Sequence, residues 1–401
     1  MKFEENKLPE KQVISEVEKI LEEDHLYDEG HILGSMCTKP HEFAVKLASM
    51  FPDRNLGDAG LFPGTARIEQ ETIEMIGDML GEERVVGNIV TGGSEANIVA
   101  MRVARKARDI KPPAHPEVIV PESVHMSLFK AADFMGFDVR ILHLDKDYQI
   151  DLGDLERAIN DNTMAVVGIA GTTSLGLVDP IREMGKIIES INPDIPFHVD
   201  AAFGGFVLPF LKELGHDVPD FGFEVPQVQS ITCDPHKMGL NLIPSGGFVL
   251  RKDYAERANV GFNIPYLAGG AFKHYNLTGT RPGNVVIACW GLMRFLGHEG
   301  FRAVVQDCWE NTVYLRELLN ELSKYVEVAH EPLMNVVGIR SVTDIPMTEI
   351  DRELRKQGWF LGIFKNMEPP ITRIVVMPHV TKESIDAFIV DFERILKNIN
   401  K

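Results

Sequence analysis

The chain has 401 residues, 44% hydrophobic and 25% charged, enough apolar material for a large core, which excludes a disordered chain, a collagen-like repeat and a disulfide-stapled miniprotein. Its 41 Lys and Arg against 59 Asp and Glu leave a net charge of −18, a field that repels nucleic acid and anionic membranes and favours a small-molecule partner. Cys37, Cys233, Cys289 and Cys308 form no C-x-x-C pair, the opening MKFEENKLPEKQ has no apolar signal core, and no apolar run reaches the roughly 18 residues of a membrane helix, so a reduced cytoplasmic protein is expected.

Val13, Ile14, Val17, Ile20 and Leu21 recur at helical spacing, predicting an amphipathic helix whose stripe must pack on the main body or on another subunit; a loop follows from Asp28 to Pro40. From about residue 85, short apolar runs alternate with helical patterns. Strands are expected at Asn88–Thr91, Val118–Pro121, Val139–Leu144, Met164–Ala170, Pro196–Asp200, Ser230–Asp234 and Gly247–Leu250. Helices are expected at Glu95–Arg108, Ser127–Phe134, Leu152–Asn160 and Arg182–Ser190. The runs are near-continuous rather than alternating, as in strands buried on both faces, so the pattern predicts an α/β fold with a mostly parallel seven-stranded sheet and a ligand site at its carboxyl edge. Beyond Pro282 a long helical stretch, Val285–Phe295 continuing through Arg302–Leu322, leads to strand-like runs Val326–Ala329, Val336–Ile339 and Thr372–Met377 and a last helix, Ser384–Ile399. The division that follows is an N-terminal helical segment (1–54), a large α/β domain (55–285) and a smaller C-terminal α+β domain (286–401).

The strand ends carry unusual residues. Thr91-Gly92-Gly93-Ser94-Glu95-Ala96-Asn97 opens a helix, whose unpaired N–H groups and positive dipole end suit a phosphate, although the same residues also make a simple turn and cap. The motif is neither a dinucleotide nor a nucleoside-triphosphate fingerprint. Asp200, at the end of an apolar run in His198-Val199-Asp200-Ala201-Ala202, is either a capping aspartate or a carboxylate that needs a cationic partner. His198 and Asp200 share one face of the strand, as a metal pair would, but no third ligand is near and no H-E-x-x-H motif occurs, so no metal site is assigned. In Asp234-Pro235-His236-Lys237-Met238-Gly239, a lysine among small and apolar residues loses its charge easily and can condense with an aldehyde. A phosphate cradle, an acid for a ring nitrogen and an amine for an aldehyde are the three requirements of pyridoxal 5′-phosphate.

These segments, with V-H-M-S-L-F-K-A-A (124–132), G-T-T-S-L-G (171–176) and G-T-R-P-G (279–283), resemble the group II pyridoxal-phosphate-dependent amino-acid decarboxylases of fold type I over nearly the whole chain. Gly34-Ser35-Met36-Cys37, Asn55 to Phe62, Ile243 to Gly247 and Arg373 to His379 look like the archaeal L-tyrosine/L-aspartate decarboxylases within that family. The resemblance implies that the large domain binds pyridoxal 5′-phosphate, with Lys237 holding it, Asp200 binding its pyridine nitrogen and His125 stacked on its ring. It further implies that Gly93, Ser94 and His236 contact the phosphate, with Thr280 reaching it from the other subunit of a homodimer, and that Thr172 and Ala202 line the ring. Arg373 is similar to the arginine that grips the substrate carboxylate, Ser35 lies in a segment lining the side-chain pocket, and Tyr275, or else His274, is the expected proton donor. The expected reaction is decarboxylation of L-aspartate or L-tyrosine, with L-glutamate third; an aminotransferase or lyase on the same fold is the alternative.

Overall fold

The structure, a computed structural model, describes residue 3 and residues 5–108, 115–270 and 272–399. Helix α1 (Glu10–Leu21) carries the predicted stripe, yet none of its residues is buried in the single chain. Two helices without a counterpart among the predicted elements follow, α2 (Glu42–Met50) and α3 (Pro63–Met79). α3 starts with proline at a first-turn position, where no amide hydrogen is needed, and buries Ile73 and Ile76 in the main core.

Strands β1 (Val85–Val90), β2 (Glu117–Pro121), β3 (Asp138–Leu142), β4 (Thr163–Ile169), β5 (Phe197–Asp200), β6 (Val228–Cys233) and β7 (Gly246–Arg251) form one sheet in the order β1-β7-β6-β5-β4-β2-β3. All neighbours are parallel except β7, which runs against both β1 and β6. All seven residues of β4 are buried, and its alternation sends Val166 into one core cluster and Val167 into the other, so helices must cover both faces. The covering helices are α4 (Gly93–Ala107), α5 (Ser127–Met135), α6 (Leu152–Ala158), α7 (Ile181–Ile191), α8 (Leu208–Glu213) and α9 (Lys252–Ala258). Residues at or just past the ends of β1, β2, β4, β5 and β6 converge on one cavity.

A short hairpin, β8 (Phe262–Ile264) and β9 (Phe272–His274), precedes α10 (Gly283–Glu321). That helical stretch, expected to continue from Phe295 into Arg302, is broken at Gly297, whose φ of 54° lies in the left-handed region that glycine adopts without a Cβ clash. An antiparallel sheet follows, β10 (Val326–Val328), β11 (Val336–Ser341), β12 (Gly362–Phe364) and β13 (Ile371–Val375), in the order β10-β11-β13-β12, with α11 (Met347–Lys356) and α12 (Lys382–Ile399) supplying its helices. The chain before Ser35 joins this sheet: Leu33 N–H donates to Phe360 O at 2.9 Å and Val375 N–H to Leu33 O at 2.7 Å. Residues 34–36 are thereby fixed beside Arg373. Among the described residues no helix is long and apolar enough to cross a membrane.

Candidate active site

The cavity at the carboxyl edge measures about 310 Å³ and is lined by Gly93, Ser94, His125, Asp200, Ala202, His236 and Lys237, seven of the residues singled out from the sequence. Lys237 sits in the tight turn after β6, with its N–H on Asp234 O at 3.1 Å. Its Nζ is 3.3 Å from Asp234 Oδ2, the oxygen that also accepts the Gly93 N–H at 3.1 Å and lies 3.6 Å from His236 Nε2. Asp234 Oδ1 is buried with no hydrogen-bond partner.

Asp200, at the end of β5, is 5% exposed. Its Oδ1 accepts the Ala202 N–H at 3.1 Å and its Oδ2 the Asn97 amide at 2.8 Å. Beside it, His125 has its pKa lowered from the ordinary histidine value, chiefly by burial, with the Asp200 charge opposing.

The start of α4 is bare backbone for a steric reason. A Cβ on Gly92 would come within 3.0 Å of His236 Cε1, one on Gly93 within 2.8 Å of Asp234 Oδ2, and one on Gly246 within 2.5 Å of the Gly92 backbone. Three chain segments therefore close around a helix N-terminus only because they lack side chains there, which leaves a cradle for an anion. Cradle, carboxylate, ring and lysine amine lining one cavity fit pyridoxal 5′-phosphate. The Asp234 carboxylate is the one group of unfavourable sign, and Lys237 and the Gly93 N–H offset it.

Three residues expected at the site do not line this cavity in the single chain. Thr172 does not line the cavity: it is 2% exposed, and its hydroxyl accepts the Leu177 N–H at 3.0 Å inside its own turn, leaving Gly171 and Thr173 as lining residues. Ser35 turns away, its Oγ bonded to Cys37 O and Cys37 N at 3.0 Å each and 3.3 Å from the Tyr27 hydroxyl, so the lining residue of that segment is Met36. Tyr275 lines a second cavity, of about 530 Å³, between α3 and β1, because the loop after β9 passes over that side of the sheet. Thr280, expected to act from the other subunit, is exposed and lines neither cavity of its own chain. The His274 side chain lies outside the described residues.

Arg373 sits behind the cavity wall rather than in it. It is 8% exposed, and its guanidinium donates to Thr173 O and Gly34 O and lies 5.3 Å from the Phe364 ring. Its Nε is buried without a partner, and burial lowers its pKa to about 10.

Asn97, Ser123 and Phe203 also line the cavity, with no role assigned from sequence. Asn97 stands one turn beyond Gly93 on α4, a spacing that puts both on one helix face, and this signal is readable in the sequence. His198, 1% exposed, has Nδ1 2.8 Å from Ser230 Oγ and Nε2 3.1 Å from Asn97 Oδ1.

Residues 46–342 match the family model described as the pyridoxal-dependent decarboxylase conserved domain. The chain is 43% identical to an L-aspartate/L-glutamate decarboxylase of Pyrococcus horikoshii over 99% of its length and 100% of that protein's. It is 41% identical to a probable L-tyrosine/L-aspartate decarboxylase of Methanosphaera stadtmanae, covering 93% of this chain and 94% of the relative. Among solved structures it is similar to a sphingosine-1-phosphate lyase of Burkholderia pseudomallei, with a TM-score of 0.90, 26% identity, and coverage of 99% of this chain and 92% of that one.

Proposed function

The chain belongs to the pyridoxal-dependent decarboxylases, enzymes that remove CO₂ from an amino acid with pyridoxal 5′-phosphate, and from that premise we propose that its substrate is L-aspartate, giving β-alanine, with L-tyrosine second and L-glutamate third. Aspartate is the substrate that the names of the two relatives have in common. The observation that carries the site is the convergence of Lys237, Asp200, His125 and the α4 cradle on one cavity.

When bound, pyridoxal 5′-phosphate supplies the electron sink for the pair left behind as CO₂ departs. In this proposal Lys237 holds the cofactor through its amine and yields to the substrate amine. Asp200, held by its two donors, faces the pyridine nitrogen and keeps it protonated. Gly93, Ser94 and His236 hold the phosphate, Ala202 lines the ring and His125 covers it. Arg373, just behind the cavity wall and with an unpartnered Nε, is assigned the substrate α-carboxylate, which it would orient for the bond to be broken.

The protein acts as a cytoplasmic homodimer in this reading. Support comes from the exposed apolar stripe of α1 and from Tyr275 and Thr280, which do not reach the cavity of their own chain and are assigned to the partner subunit's cavity as proton donor and phosphate contact. The test is CO₂ release from aspartate, tyrosine and glutamate side by side, with Lys237→Ala as blank. Aspartate is expected to give the highest kcat/KM. Stoichiometric transfer of the amino group to a keto acid, without CO₂, would overturn the reading.

A further inference from the structure

Asn97 is 1% exposed and uses every hydrogen-bonding position of its amide. Its Nδ2 donates to Asp200 Oδ2 and to Ser127 Oγ, both at 2.8 Å, while Oδ1 accepts from Thr232 Oγ1 at 2.7 Å and faces His198 Nε2 at 3.1 Å. An ionised carboxylate only accepts, so the amide nitrogen, not the oxygen, must face Asp200. His198 then carries its proton on Nε2, and its Nδ1 accepts the Ser230 hydroxyl. Burial pushes the His198 pKa down to about 4, in keeping with a neutral ring.

The other amide proton has a second consequence. Ser127, fully buried, accepts from Asn97 and so turns its own proton to His125 Nδ1, 3.0 Å away, and the Ser127 N–H reaches the same nitrogen at 3.2 Å. Two donors on Nδ1 leave the proton of the neutral His125 ring on Nε2.

We propose that Asn97 is a positioning residue that couples the two cofactor-facing groups: one amide proton binds and orients the Asp200 carboxylate, and the other sets Ser127 so that His125 carries its proton on Nε2. The proposal rests on the roles given above to Asp200 and His125 and adds the residue that fixes both.

The experiment uses the full chain labelled with ¹⁵N-histidine, with and without pyridoxal 5′-phosphate. Two-bond ¹H–¹⁵N correlations read the His125 tautomer, assigned by comparison with His125→Gln, and an equilibrium titration reads cofactor affinity. Asn97→Asp keeps the shape but replaces both donors by acceptors. The expected result is a His125 ring shifted out of the Nε2–H form and cofactor affinity down about tenfold, or roughly 1.4 kcal/mol. A wild-type His125 signature with wild-type affinity overturns the proposal. Should Asn97→Asp fail to fold, Asn97→Ala replaces it; a mixed tautomer population with about tenfold weaker cofactor binding is expected, and unchanged spectra and affinity overturn the proposal. Asp200→Asn in the same titration tests the underlying reading separately: if affinity does not change, that reading fails whatever the His125 spectra show.

Discussion

Asp234 Oδ2 lies 3.3 Å from Lys237 Nζ and 3.1 Å from the Gly93 nitrogen, so one carboxylate oxygen ties the lysine turn to the first residue of α4. If Lys237 holds the cofactor through its amine, as proposed, a free ammonium would no longer face Asp234. The carboxylate is then a 1% exposed anion with one oxygen already unpartnered, beside a phosphate of the same sign. Asp234→Asn keeps an acceptor for Gly93 and removes that charge. The expected outcome is tighter cofactor binding, by about tenfold or roughly 1.4 kcal/mol, in an equilibrium titration. Weaker binding would show that the charge itself holds the group.

Arg373→Lys tests the proposed carboxylate grip. Lysine cannot span Thr173 O, Gly34 O and a substrate carboxylate with one ammonium, as the guanidinium fork can. Loss of a charge-assisted bond at a desolvated site costs about 2–4 kcal/mol, so kcat/KM should fall roughly 30- to 1,000-fold. The product β-alanine lacks the α-carboxylate and keeps only the side-chain one, so its inhibition constant should stay within about twofold while the amino acid loses affinity. Parallel losses of amine and amino acid would place Arg373 in the framework only.

The seven strands were legible because β-strands buried on both faces read as apolar runs, and the cradle, Asp200 and Lys237 because each stands where such a run ends. The three-residue strands β8, β9 and β12 are too short to show a period, and α2 and α3 lie ahead of the β-then-α alternation that organised the reading. Thr172 and Ser35 were misplaced for a related reason. Motif position fixes where the backbone runs, but their hydroxyls are claimed by Leu177 N–H and by Cys37, contacts that only the folded turn reveals. The role of Asn97 does not show in the sequence, because its partners Ser127, Asp200, Thr232 and His198 come from three other parts of the chain.

Tyr275 and Lys237 line different cavities of one chain, which makes the proposed sharing of sites between subunits testable by complementation. Tyr275→Phe and Lys237→Ala homodimers should each be close to inactive. If Tyr275 serves the neighbour, co-refolding the two variants creates hybrid dimers in which one intact Lys237 meets one intact Tyr275, restoring about one quarter of the wild-type sites under random pairing. No recovery in a mixture shown by mass spectrometry to contain hybrids would remove Tyr275 from the partner's chemistry.

Asp179 pins the end of β4, its N–H donating to Ile169 O and its Oδ2 accepting the Ile169 N–H, each at 2.8 Å. It is 1% exposed, and burial raises its pKa from 3.8 to about 7. Because the folded pKa exceeds the unfolded one, the folded chain binds the extra proton between these values; stability from this group is full below about pH 4 and is lost as pH rises through 7. His198 has the opposite sign, its pKa lowered from 6.5 to about 4, so its contribution is lost as pH falls through that window. A bare stability curve therefore mixes the two, whereas the difference between wild type and Asp179→Asn isolates the carboxyl. Asparagine retains an acceptor for the Ile169 N–H and never ionises. The variant should match wild type near pH 4 and become the more stable protein by roughly 2–4 kcal/mol above pH 7, read from thermal or urea midpoints at stepped pH. A gap that does not change with pH would mean that Asp179 stays ionised in its buried site.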